Sequence, residues 1–155
     1  MKDKLKMGNF GGYFTIRHER GGEVLGEVTI VNTVSNNGIE RTSGLINGTR
    51  TGAFDCLRIG TSETAAGATD TNLKAEIAAG SLVGAAATCT QVTTDTTNDS
   101  AYLVHTFTAT GSYTIKEAGI FTTATGGCML ARATFTGKAM SNGDTLTVYY
   151  KIDVD

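Results

Sequence analysis

His18 and His105 are the two histidines of this chain, and either could serve as a metal ligand or a general base. Both roles need partners, and His18 has only Glu19 and Arg20 beside it in sequence. A surface or strand histidine is the expected role for each. Lys116-Glu117 is a second candidate, as a buried functional pair. Neighbours in a strand more often face opposite sides, each making its own salt bridge or hydrogen bonds, so the two are not expected to act as a pair. Asp70, Asp95, Asp99 and Asp144 suggest calcium, but none has the one-three-five oxygen spacing of a calcium loop; they read as turn formers. Gly11-Gly12, Gly21-Gly22 and Gly126-Gly127 precede no Lys-Ser/Thr step into a helix, so they are not phosphate loops. Ser43-Gly44 and Ser141-Asn142 lack the elbow of a nucleophilic serine. Cys56, Cys89 and Cys128 match neither a zinc motif nor a disulfide framework, and each is expected to be a small buried hydrophobe. The residues therefore predict no enzyme, no cofactor and no metal.

The elements that carry these residues read as strands. From Ser112 to Phe135, two alternating runs flank Gly126-Gly127, and a glycine pair supplies the positive φ angles of a tight hairpin. Tyr13–His18, Glu23–Asn32, Phe54–Gly60, Tyr102–Ala109 and Thr145–Val154 are further strands, with Val83 and Val92 marking weaker ones. Val28, Ile30 and Asn32 share a face, and Thr93–Ser100 is a polar hairpin tip. Asn37-Gly38 signals a type I′ turn, and Gly38–Gly52 reads as a long loop. Asn72–Ala78 is the one expected helix: Leu73 and Ile77 lie four apart, Thr69 or Asp70 caps it, and Gly80 ends it. Thr61–Asp70 is an irregular loop.

The fold class that follows is all-β, an antiparallel β-sandwich or jelly roll of about eight strands with one short helix. The 155 residues form one domain, with residues 1–9 as a flexible N-terminal arm. Abundant β-branched Thr suits strands. Proline is absent, where roughly eight would be ordinary. A net charge of -2 argues against electrostatic capture of nucleic acid. No apolar run reaches membrane-spanning length and no signal peptide opens the chain, so assembly in a cytoplasm is expected.

Residues from about Phe54 to Asp155 carry an ordered series of motifs. They are Ile59-Gly60-Thr61, Asp70-Thr71-Asn72-Leu73, Thr114–Phe121, Met129–Phe135 and Gly143–Val148. In that order they resemble the small β-rich virion proteins of tailed bacteriophages. The resemblance covers about two thirds of the chain and transfers no functional residue; because Glu117 lies in a recurring motif, it implies a structural role for that side chain, bonded to backbone or to Arg132. It implies a virion structural protein: a capsid decoration (cement) protein, or a component of the tail tip, collar or fibre base. The first of these makes the major capsid protein the partner, together with further copies of this chain in a homotrimer, at the capsid surface; the second makes tail proteins the partner. Lys2, Lys4, Leu5 and Lys6 of the arm, with Leu45, Ile46 and Arg50 of the glycine-rich segment, are the candidate partner contacts. A carbohydrate-binding module is the remaining alternative, weakened by the absence of Trp and by only five Tyr on which to stack sugars.

Overall fold

The structure is a computed structural model that describes residues 11–154. Lys2, Lys4, Leu5, Lys6 and the rest of the expected arm up to residue 9 lie outside the described residues. Two antiparallel five-stranded sheets pack as a β-sandwich. In chain order the elements are β1 (Gly12–Arg20), β2 (Glu23–Val31), β3 (Thr33–Val34), α1 (Asn36–Ile46), β4 (Cys56–Gly60), β5 (Ala85–Ala86), β6 (Thr88–Val92), β7 (Ser100–Thr108), β8 (Tyr113–Phe121), β9 (Met129–Met140) and β10 (Thr145–Asp153). The first sheet runs β2-β1-β10-β7-β6 and the second β3-β9-β8-β4-β5. Ten strands replace the expected eight because β3 and β5, two residues each, are too short to leave a periodic signal.

Strict alternation builds the first sheet. Phe14 and Ile16 of β1, Leu103 and Phe107 of β7, and Leu146, Val148, Tyr150 and Ile152 of β10 all point into the core. Gly21 and Gly22 turn β1 into β2 at φ +56° and +85°. Leu57 and Ile59 of β4, Ile115, Ala118 and Ile120 of β8, and Phe135 of β9 close the core from the other side.

The centre of the second sheet, β4 with the end of β8 and the start of β9, is buried on both faces. All five residues of β4 are buried, and so are the last five of β8, Ala-Gly-Ile-Phe preceded by Glu117. Strands covered twice lose the polar half of their alternation. The outer cover is the strap from Thr61 to Ala79. It seats Leu73 against Cys56, Phe121 and Met129, apart from the main core.

Two local expectations fail here. Residues Asn72–Ala78 form no helix. The Glu117 carboxylate takes the N–H groups of Lys74 and Ala75 at 3.1 and 2.7 Å, and Ile77 N–H bonds the Ile59 carbonyl at 3.1 Å. A helix would need those amides for itself. Gly80 instead opens a short 3-10 turn to Leu82 at φ +81°. Val83 lies just past that turn rather than in a strand.

The helix lies in the segment read as a loop. Ser35, fully buried, accepts the Gly38 N–H at 2.9 Å and donates to the Met129 carbonyl at 2.7 Å. That side chain caps α1 and rivets its start to β9. Gly38 is no turn glycine. A Cβ there would sit 2.6 Å from the Leu130 carbonyl oxygen, so the glycine lets the helix lie directly on strand backbone.

The three cysteines divide. Cys56 is buried, and burial pushes its thiol up to about 11. Cys128 is half-buried. Cys89 is exposed, contrary to expectation, because it sits on edge strand β6, where four of five residues face solvent.

Candidate functional site

Two clusters of charged residues centre on buried carboxylates, and both are clamps. On the outer face of the second sheet, β-register sets Arg58 of β4 opposite Gly119 of β8, and Gly119 opposite Arg132 of β9. Two arginines therefore flank a glycine, which leaves room for the Leu73 side chain above it. Arg132 Nε donates to Glu117 at 2.7 Å, and its other nitrogens donate to Asp70 at 3.1 Å and to the Thr64 carbonyl at 2.7 Å. Arg58 donates to the Thr123 carbonyl and to Glu76, and its guanidinium lies 3.8 Å over the Phe121 ring. Lys74 joins Asp70 at 2.6 Å. Burial raises the Asp70 carboxyl, but bonds from Lys74 and the Gly67 N–H, with the charge of Arg132, bring it below its ordinary range. Three cations thus meet three carboxylates: Arg132–Glu117 joins β9 to β8, Lys74–Asp70 braces the strap internally, and the remaining contacts tie the strap or a hairpin end to the sheet. The expected bond between Glu117 and Arg132 is present. Lys116, at a register shift in β8, meets exposed Glu63 at 2.7 Å.

The second cluster surrounds Asp144, at the turn that Gly143 enters at φ +86°. Arg20 grips the carboxylate from two nitrogens at 2.8 Å each, Ser141 N–H bonds it at 2.8 Å, and His18 Nε2 lies at 2.9 Å. His18 is in a strand as expected, but it is buried rather than at the surface, on the same face as Phe14 and Ile16. The Ser141 hydroxyl bonds Arg20 and not His18, so the set is not arranged as an acyl-transfer relay. His105 is half-buried and packs edge-on against Phe107 with ring centroids 4.6 Å apart. Burial, partly offset by a bond to the Ala86 backbone, lowers its pKa. Among the described residues no group of three or more His, Cys, Asp or Glu is placed to hold a metal ion.

Asp144 makes acid stability testable. Arg20 first, then the Ser141 N–H, holds its carboxyl well below the usual range, while an unfolded Asp titrates near pH 3.9. Asp99, bonded by the N–H groups of Thr96, Asp95 and Thr94, is depressed likewise. A depressed carboxylate gives its full contribution above its unfolded pKa and loses it as pH falls toward the folded one. The melting temperature is therefore expected to be level above about pH 5 and to fall below about pH 4. Asp144→Asn should lower the plateau and flatten the fall, read by circular dichroism melts from pH 2 to 7. An acid limb of unchanged steepness in that variant would rule out Asp144 as a source of it.

The candidate contacts sit elsewhere, on and after α1. Seated by Gly38, the helix turns Ile39, Ser43 and Ile46 outward, spaced four and three apart along one face. Ile39 is 53% exposed and Ile46 79%. Leu45 is half-buried, and exposed Arg50 meets exposed Glu40 at 2.7 Å. Of the residues singled out from sequence, Ile46 and Arg50 are thus brought to the surface and Leu45 is partly withdrawn. Ile39 was missed, although its seven-residue spacing from Ile46 was visible; reading the segment as a loop hid it. Val31, 81% exposed, ends β2 just before the crossover into β3. Among the described residues no helix is long and apolar enough to cross a membrane. Comparison with protein-family models, curated proteins and solved structures finds no match.

Proposed function

We propose that this chain is a structural protein of a bacteriophage virion, a decoration protein that binds the outer surface of the head as a symmetric trimer. The observation that carries the reading is the outward stripe of Ile39, Ser43 and Ile46 on a helix locked to a doubly clamped sandwich. Large apolar residues on a rigid exposed ridge are suited to adhesion. Burying each isoleucine against the major capsid protein would contribute about 1.5–3 kcal/mol. Repeated over many sites and available only in the assembled shell, such modest energies stabilise that shell by mass action.

The motif resemblance supports the same reading from a different side. Gly60, Asp70, Glu117 and Arg132 all lie in its motifs and all belong to the strap clamp, while Asp144 anchors the second clamp. The motifs therefore describe framework. The α1 stripe lies outside them, as a contact particular to one virion would.

Purified protein added to heads that lack it is expected to bind at saturating stoichiometry and to raise their resistance to heat. Ile39→Asp and Ile46→Asp should each abolish that binding, while moving the stability of the isolated protein by no more than about 0.5 kcal/mol, as exposed positions do. Absence of binding by the parent protein would reject the reading. Labelling of intact particles over the tail rather than the head would replace it with a tail-tip, collar or fibre-base adaptor.

A further inference from the structure

Alternation sends Tyr13, Thr15 and Arg17 of β1 to the solvent side of the first sheet while Phe14 and Ile16 enter the core. Register carries that outer pattern sideways. Tyr13 lies opposite Lys151 and Thr15 opposite Tyr149 across β10. Lys151 in turn lies opposite Tyr102 of β7, and on the other flank Glu27 of β2 lies opposite Arg17. Three of the chain's five tyrosines therefore share one face, although they are 89 and 47 residues apart in sequence. The rings of Tyr102 and Tyr149 are near-parallel, 26° between planes with centroids 6.2 Å apart. With Tyr13 they line an open recess of about 280 Å³ rimmed by Arg17, Glu27 and Lys151.

The rim holds both signs of charge, and its charges are largely paired. Arg17 lies 3.2 Å from Glu19 and 4.0 Å from Glu27, and Lys151 lies 3.1 Å from Asp153. Such a surface has little net field to draw an ion. It does offer fixed donors and acceptors around an aromatic floor, from Arg17, Glu27, Lys151 and Thr15. A pyranose ring has the matching chemistry: an apolar C–H face for an aromatic ring and a rim of hydroxyls that both donate and accept. Because the platform is built on three paired strands, it is rigid before any ligand arrives.

We propose that the outer face of the first sheet is a binding site for an uncharged, pyranose-based oligosaccharide, stacked on Tyr102, Tyr149 and Tyr13 and held at its rim by Arg17, Glu27 and Lys151. The site is independent of the head-docking stripe, since α1 packs on β9 of the other sheet. A virion protein can then hold a particle with one surface and a glycan with the other.

The test titrates the intact chain with neutral cello-, xylo- and manno-oligosaccharides and with a uronate-containing set. Binding is followed by tyrosine emission, which the absence of Trp leaves unmasked, and by NMR shift mapping. The expected result is a saturable response to at least one neutral series, with shifts confined to β1, β7, β10 and β2 and little dependence on salt. Tyr102→Thr and Tyr149→Thr should each weaken that binding about tenfold while keeping a strand-favouring residue. Arg17→Gln, which keeps the tyrosine floor, should weaken it as well. No saturable response to any neutral sugar would overturn the proposal. So would neutral-sugar binding that survives all three substitutions, or a response limited to uronates and abolished by salt.

Discussion

Arg132→Met is expected to destabilise the protein by about 3–5 kcal/mol, the cost of stranding buried charge when one partner is removed. Arg132 and Glu117 are both fully buried, and the same guanidinium also reaches Asp70 and two strap carbonyls. Without it, Glu117 keeps only the N–H groups of Lys74 and Ala75, and the strap loses its central anchor. For a chain of this size the melting temperature should drop by roughly 6–20 °C. Limited proteolysis should then cut first between Thr61 and Ala79. The reverse experiment separates charge from packing. Glu117→Leu together with Arg132→Met should be less damaging than the two single changes summed, because an unpaired buried charge is worse than none. Chemical denaturation of the four proteins measures the coupling. An Arg132→Met protein that melts with the parent would show that the clamp carries no stability.

Gly38→Ala sets two effects of opposite sign against each other, and packing is expected to win. In an isolated helix the change would gain about 1 kcal/mol. Here the added carbon would lie 2.6 Å from the Leu130 oxygen and 2.7 Å from its Cα, both strand backbone that cannot turn aside. The helix must lift, which also pulls the Gly38 N–H from Ser35. A net loss of about 1–3 kcal/mol is expected, with loss of head binding through the displaced Ile39 and Ile46. Gly44→Ala is the comparison, since its new carbon would meet side chain rather than strand backbone: Arg50 Cγ, Arg50 Cβ at 3.0 Å and Thr49 Oγ1 at 3.2 Å. That change is expected to shift Arg50 and to cost less than Gly38→Ala. A rise in melting temperature for Gly38→Ala would mean that α1 is not seated on β9.

What was legible in the residues follows the range of the force that decides each element. Gly126-Gly127 and Gly21-Gly22 turn where their positive φ requires, and β1 and β10 alternate cleanly because one face of each meets the core. The Glu117–Arg132 bond was legible too, since the two strands are joined by one hairpin. Ser35-Asn36-Asn37-Gly38 was ambiguous: the same four residues suit a turn or a capped helix, and the Met129 carbonyl, 94 residues away, favours the helix. Asn72–Ala78 has the spacing of a helix, but a carboxylate more than forty residues on takes its amides. The stripe on α1 became visible only once that segment was known to be helical.

By itself the sequence determined the all-β class, the hairpin turns and the inward face of each long strand, because those depend on steric preference and solvent transfer within a few residues. Tertiary structure alone decided which strands became neighbours, and therefore that Tyr13, Tyr102 and Tyr149 share a floor and that Arg58 and Arg132 flank Gly119. Pattern along one strand says which way a side chain points. Register between strands says what it meets, and that is settled by the packing of the whole sandwich.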